Sequence, residues 1–274
     1  MKVLREKQNL SYLSWTKIKN SSGTAGSFLK AYTYFGGDKL YYKLSNYDSY
    51  KGILGNECVN EIIVDRLLNI LGIEHLEYEL IHADVLVDNQ TYDTYVCCSR
   101  DFKKRGENKV ALDAFYQSER MACETPLEFC VRNGWEQYIY EMLVVDFLIL
   151  NRDRHGANIE VLRDSKNKKI RLAPLFDHGL SLLFQCTDDV TVSQVDVMED
   201  KRVQCFVGTN STLENLNLIP KDKFPKLNPL EEKDRAFIFQ NLDGVISIEL
   251  QEKIWEMLWR RWNHYEDFCN QRRE

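Results

Sequence analysis

The stretch Asn151-Arg152-Asp153-Arg154-His155-Gly156-Ala157-Asn158-Ile159, followed by Leu175-Phe176-Asp177-His178-Gly179, limits what this chain can become more than any other part of it. Asp177 sits in an apolar frame, Pro174-Leu175-Phe176, where a charged group is costly unless it binds a cation or finds hydrogen-bond partners. Phosphoryl transfer from a nucleotide needs a carboxylate near the attacking hydroxyl and oxygen ligands for the magnesium that offsets phosphate charge. Asp153 fits the first need, and Asn158 and Asp177 fit the second. Asp and Asn are ordinary turn residues, so the reading rests on accumulation. His155 either stabilises charge on the transferred group or braces the loop; His178 is a neighbour of the metal carboxylate with no assigned role. Asp146, in the preceding apolar run, is expected to brace the loop.

Upstream, such a site needs a cation for the phosphates and a carboxylate to fix that cation. Lys43 ends an apolar β-run, where an unpaired ammonium is expensive. Glu57 and Glu61 lie on the following helix; either can be its partner, and Glu61 is preferred. Phosphates also need backbone N–H groups that approach closely, which small residues between strands provide. Ser22, Gly23, Thr24, Ala25, Gly26 and Ser27 have that composition. No Walker pattern occurs, and the lysine comes from a separate strand. Hydroxyls in this loop could themselves be phosphorylated, placing negative charge where a nucleotide binds. Tyr95-Val96-Cys97-Cys98-Ser99 is the expected hinge, with Val96, Cys97 and Cys98 offering backbone groups to an adenine edge and apolar flanks to the ring.

The 274 residues, 44% of them hydrophobic, suffice for one bilobed unit or two small domains. A net charge of -6 and a pI near 5.5 argue against a dedicated nucleic-acid binder, and Lys103-Lys104-Arg105 reads as a solvated loop. The eight cysteines show no C-x-x-C spacing, which points to reduced thiols in a cytoplasm rather than zinc or a disulfide framework. The N-terminus lacks a signal-peptide run, and Met142 to Leu150 is too short to span a bilayer. A soluble, cytoplasmic protein without a membrane partner is expected. His75, His82 and His264 show no ligand spacing and are expected at the surface or an interface.

Residues 12 to 99 read mainly as strands. Phe28 to Phe35 and Lys39 to Leu44 flank Gly36-Gly37-Asp38 as a hairpin. Glu57 to Leu71 carries a helical stripe that stops at Gly72, and Tyr78 to Leu86 and Thr91 to Cys98 flank an Asp88-Asn89-Gln90 turn. Beyond Ser99 helix is expected: Trp135 to Leu150 is long and buried, Val161 to Leu172 is a hairpin, 187 to 229 is irregular, and a last amphipathic helix buries Ile254, Trp255, Leu258, Trp262 and Tyr265.

The set as a whole resembles known kinases. Asp153-Arg154-His155, Asn158-Ile159 and Phe176-Asp177-His178-Gly179 are similar to signatures of phosphoinositide kinases and, equally, of the HipA-like bacterial serine/threonine kinases. The second likeness extends to Asn60-Glu61, Leu67 and Leu71-Gly72-Ile73, and to Ser22 through Lys30 as the phosphate loop of short HipA-related kinases; it covers about residues 15 to 185. It implies an α+β, bilobed protein-kinase-like fold, with a mostly antiparallel β N-lobe over 1–99 and a mostly helical C-lobe over 100–274. It further implies ATP and Mg2+, a protein substrate with a serine or threonine hydroxyl, and the roles argued above for Lys43, Glu61, Asp153, Asn158 and Asp177. The alternatives are a lipid or small-molecule kinase with the same core, or an ATP-binding pseudokinase with a regulatory role. The chain starts almost at the phosphate loop, so the extra N-terminal subdomain of full-length HipA toxins is expected to be missing, and with it the basis for antitoxin or DNA partnerships. The tail shows no basic lipid-binding surface.

Overall fold

A computed structural model describes residues 2–16 and 28–273. The fold is mixed α+β, and a five-stranded sheet in the order β1-β6-β7-β3-β2 organises its first part. β2 (Lys30–Phe35) and β3 (Asp38–Lys43) form the expected hairpin. Its turn needs Gly36 and Gly37, at φ 60° and 93°, a region that side chains disfavour. Two small strands, β4 (Asn46–Asp48) and β5 (Gly52–Leu54), lead into α1 (Glu57–Leu71). Gly72 ends α1 in the left-handed conformation at φ 75°, its N–H reaching the last helical carbonyls. β6 (Tyr78–Val87) and β7 (Gln90–Arg100) follow as a second hairpin, turned at Asp88 and Asn89 with positive φ.

Two elements depart from the sequence reading. β1 (Lys2–Asn9) pairs parallel with β6, although its polar, mostly exposed residues give no strand alternation. Beyond Ser99 the chain does not turn helical at once: β7 runs on to Arg100, and β8 (Glu107–Ala111) joins the later hairpin before α2 (Leu112–Glu119) begins. β8 is too short and polar to announce itself by period.

α3 (Pro126–Arg132) starts with a Thr125 and Glu128 capping box, and α4 (Glu136–Leu148) is the long buried helix, Trp135 standing at its N-cap. β9 (Asp153–Arg154) follows, then β10 (Glu160–Asp164) and β11 (Lys169–Leu172), the expected hairpin. The largely irregular 187–229 region holds α5 (Asp189–Ser193), β12 (Gln204–Cys205) and α6 (Thr212–Asn215). α7 (Arg235–Ile238) and α8 (Ile248–Arg273) close the chain. On α8, Ile254, Leu258, Trp262 and Tyr265 are buried with Met257, while Trp255 packs half-exposed beside them.

Alternation along the strands splits the apolar residues into two cores. One face of the sheet gathers Ala31, Tyr42, Ile81, Ala83, Val96 and Cys98. From the other face Leu80 and Cys97 meet α1, and this larger core continues through α4 to α8. All eight cysteines are free, and among the described residues no helix is long and apolar enough to cross a membrane. His75 is not a surface residue: its side chain is buried, bonded to Asp65 at 2.6 Å and to the Ile73 carbonyl at 2.7 Å.

Candidate active site

The register of the first hairpin sets Lys30 directly opposite Lys43, so both side chains leave the same face of the sheet. The Lys43 ammonium lies 3.0 Å from Glu61 Oε1 and 2.5 Å from Asp177 Oδ1, while Lys30 Nζ stands 3.8 Å from Asp177 Oδ2. Glu61 is wholly buried, and its second oxygen accepts the His178 N–H at 2.9 Å. Glu57, the other candidate partner, accepts instead from the Asn46 N–H at 3.3 Å. Two lysines thus face two carboxylates. Burial would lower the Lys43 pKa, but Asp177 and Glu61 outweigh it and hold the ammonium well above its usual range. Burial likewise pushes Asp177 up, but Lys43 and Lys30 bring it below the ordinary carboxylate range. Glu61 remains raised, since its burial exceeds what Lys43 offsets.

The Asp153 loop is built on Arg154. α4 ends at Leu148, and Leu150 turns the chain at φ 49°. Asp146 then accepts from Asn151 Nδ2 at 2.9 Å and from both Nε (2.9 Å) and Nη2 (2.8 Å) of Arg154. Arg154 Nη1 donates to the carbonyls of Asn158 at 3.2 Å and Phe176 at 3.1 Å. One guanidinium therefore ties α4, the Asp153 loop and the Asp177 segment together. Gly156 allows α2 to approach: a Cβ there would lie 2.5 Å from Asp113 Cβ. β12 straps the loop from outside, pairing Gln204 with Asp153 and Cys205 with Arg154.

Within this frame the Asp153 N–H donates to Asn151 Oδ1 at 3.1 Å, and Asn158 Nδ2 donates to the Asp153 carbonyl at 2.7 Å. Asn158 thereby commits one N–H inside the loop and keeps its side-chain oxygen as an acceptor. His155 Nδ1 accepts the Ala157 N–H at 3.1 Å, which puts a neutral imidazole's proton on Nε2, 3.6 Å from Asp153 Oδ2. Burial raises the Asp153 pKa, His155 opposes the rise, and the nearby Asp177 charge adds to it. Asp177 itself sits at φ 58°, with its N–H donating to the Tyr78 hydroxyl at 3.3 Å.

The site opens on a cavity of about 390 Å3. Lys30, Lys39, Lys43, Arg100 and Lys109 line it against Asp101, Glu160 and Asp177, with Tyr32, Tyr41, Tyr78 and Phe102 supplying aromatic walls. This excess of cations suits a polyanionic ligand. Of the three hinge residues expected to touch a base, only Cys97 lines the cavity. Val96 and Cys98 point to the opposite face and are buried in the other core, as the period of a strand requires. The backbone there is also committed, because Cys97 and Cys98 pair with β3 on one side and β6 on the other. The partnership with β6 ends at Ser99, and the residues from Ser99 to Phe102 form the rim instead. The loop Ser22, Gly23, Thr24, Ala25, Gly26 and Ser27 lies outside the described residues.

Among the described residues no group of three or more His, Cys, Asp or Glu side chains could hold a metal by itself. Asn158 and Asp177 offer two oxygen ligands, which is what a protein contributes to Mg2+ when phosphates and water complete the octahedron. The residues present fit that ion. Lys30, Arg154 and Glu160 were not singled out from the sequence. Lys30 and Glu160 are single charges in short strands, and only the folded register places them in the cavity.

The fold that carries this site is one seen in a solved kinase. The crystal structure of a Helicobacter pylori proinflammatory kinase, CtkA, matches with a TM-score of 0.61 at 20% identity, covering 97% of this chain and 98% of that one. This chain is a relative of the H. pylori serine/threonine-protein kinase CtkA, 27% identical over 152 residues. That match spans 51% of this chain and about half, 45%, of the length of the curated relative. HipA of Shewanella oneidensis MR-1, solved with HipB and operator DNA, is also structurally similar, with a TM-score of 0.43 and 14% identity over 91% of this chain and 64% of that one. No family model matches the chain.

Proposed function

We propose that this protein is an ATP- and Mg2+-dependent phosphotransferase of the HipA-like group that phosphorylates serine or threonine hydroxyls of a protein, built as two lobes, 1–99 and 100–274, around the cavity. The observation that carries the reading is the Lys43 ammonium, 3.0 Å from Glu61 and 2.5 Å from Asp177, on the wall of a cation-rich cavity. A kinase needs its phosphate-binding lysine fixed by a helical carboxylate and facing a metal-binding aspartate. The relative named as a serine/threonine-protein kinase supports a protein acceptor.

In this reading Lys43 and Lys30 take phosphate oxygens, and Glu61 keeps Lys43 in place throughout. Asn158 and Asp177 would hold Mg2+, which when bound offsets charge on the transferred group. Asp177 is held by lysines here; phosphates drawing those lysines away leave an ionised carboxylate for the metal. Asp153 accepts the proton or hydrogen bond of the attacking hydroxyl, and its raised pKa makes it the better acceptor. His155 Nε2–H stands beside it and orients it. Positioning and charge stabilisation supply most of the rate.

The test is transfer of the γ-phosphate of labelled ATP to protein, with wild type beside Asp153→Ala. Transfer should fall by about 10²–10⁴-fold, while the rise in melting temperature on adding Mg-ATP persists. Equal transfer by the two proteins removes Asp153 from its role. A wild type whose melting temperature ignores Mg-ATP sinks the whole reading.

A further inference from the structure

Several cavity groups remain unused by the chemistry above, Glu160 among them. Glu160 follows Asn158 by one intervening residue at the start of β10, and it lines the cavity. Its backbone is fixed on both sides, opposite Ala111 of β8 and accepting the Ala173 N–H at 2.8 Å. Its carboxylate is not: Oε2 is shut off from solvent with no hydrogen-bond partner. The nearest cation, Lys109, stands 4.0 Å from Oε2, beyond hydrogen-bond reach. That lysine is committed elsewhere, 2.9 Å from Asp101 and over the Phe102 ring at 4.0 Å.

An unbonded, desolvated carboxylate oxygen is expensive, and it belongs to a side chain that is 24% exposed on the cavity wall, where a ligand can meet the carboxylate. A carboxylate accepts and cannot donate, so what completes it is a pair of adjacent donors. The hydrogen-bonding edge of adenine sets its amine beside a ring-nitrogen acceptor, which repels a carboxylate. Two other parts of a nucleotide present paired donors: the 2′,3′-diol of ribose, and the N1–H and N2–H edge of guanine. Acidic residues bind ribose hydroxyls in other nucleotide sites for the same reason.

We infer that Glu160 is the nucleoside-reading residue of this cavity, its carboxylate accepting two neighbouring hydrogen bonds from the bound nucleotide. The inference rests on the proposed kinase function and names how its nucleotide is selected.

The experiment is equilibrium binding of the Mg2+ complexes of ATP, 2′-deoxyATP and GTP to the whole protein, as wild type, Glu160→Gln and Glu160→Ala. The melting temperature of each unliganded protein is recorded alongside. If the diol is the partner, wild type binds 2′-deoxyATP about ten- to hundredfold more weakly than ATP, and Glu160→Ala loses that discrimination. If the guanine edge is the partner, wild type prefers GTP by a similar factor and Glu160→Gln loses the preference. Either result supports the inference and identifies the source of the donors. A wild type that binds all three nucleotides equally overturns it without any variant. Stably folded variants that keep the wild-type discrimination overturn it too. If Glu160→Ala melts early, the near-isosteric Gln variant decides. Absence of binding by any nucleotide fails the kinase reading itself, a result distinct from binding that ignores Glu160.

Discussion

Two buried charge assemblies meet at adjacent residues of this protein, Phe176 and Asp177, and they are finished to different degrees. Around Arg154 every nitrogen of the guanidinium has a partner, and both Arg154 and Asp146 are almost completely enclosed, at 1% and 6% side-chain exposure. Around Lys43 a compact ammonium is shared between two carboxylates, and one of them, Asp177, is 23% exposed and faces a second lysine. A planar fork locked on several acceptors holds geometry, whereas an ammonium is a point charge whose partners can be exchanged. The saturated assembly braces the loop; the unsaturated one has room for a ligand. Degree of completion, more than burial, separates scaffold from working site.

The comparison predicts opposite phenotypes. The largest effect on stability belongs to Arg154→Met, which strands Asp146 as an uncompensated buried charge and should cost about 3–5 kcal/mol, read by denaturant unfolding. Arg154→Lys should recover little, because an ammonium cannot reach the Asn158 and Phe176 carbonyls while bridging Asp146. Lys43→Met should cost less, about 1–3 kcal/mol, because burial raises the Glu61 pKa and the carboxylate takes up a proton more readily once the ammonium is gone. It should nonetheless abolish the thermal response to Mg-ATP. Equal destabilisation by the Arg154 and Lys43 variants would erase the distinction.

The smallest effect comes from a third pair. His75 is buried against Asp65, with Glu77 and His178 also near. Burial lowers its pKa, but the Asp65 bond and the Ile73 carbonyl raise it above 6.5. A raised folded pKa contributes stability that is fully present below the unfolded value and is lost as pH rises through the folded one. His75→Gln should therefore differ most from wild type below pH 6.5, by no more than about 1 kcal/mol, and converge on it in alkaline buffer. A gap that widens with pH would reverse the assignment.

How much of this was readable beforehand depends on whether a residue's neighbours are near in sequence. α1 was legible because its apolar stripe and Gly72 are local signals. Lys43 was legible because a charge closing an apolar strand demands a partner, and Asp146 because it precedes the loop that it braces. Lys30 closes the run read as a phosphate loop but was given no role of its own: its importance comes from facing Lys43 across a hairpin. Glu160 was hidden for the same reason, since β8 and the cavity wall come from distant parts of the chain. Val96 and Cys98 were legible in principle, because continuing the strand period from Cys97 sends both to the far face. Reading the segment as the end of a strand concealed that alternation.

The parallel pairing of β1 with β6 has a consequence for how the molecule assembles. The first strand finds its neighbour across a sequence separation of 77 residues, as the Lys7 to Asp84 bond shows. The two hairpins of the sheet can zip locally, but this strand must wait until the edge of β6 exists, since contacts distant in sequence form slowly. Until then the outer margin of β6 is a row of bare amides and carbonyls, ready to recruit any passing strand. Deleting the first nine residues would make that transient condition permanent, and the shortened protein should precipitate during refolding even with the cavity residues untouched.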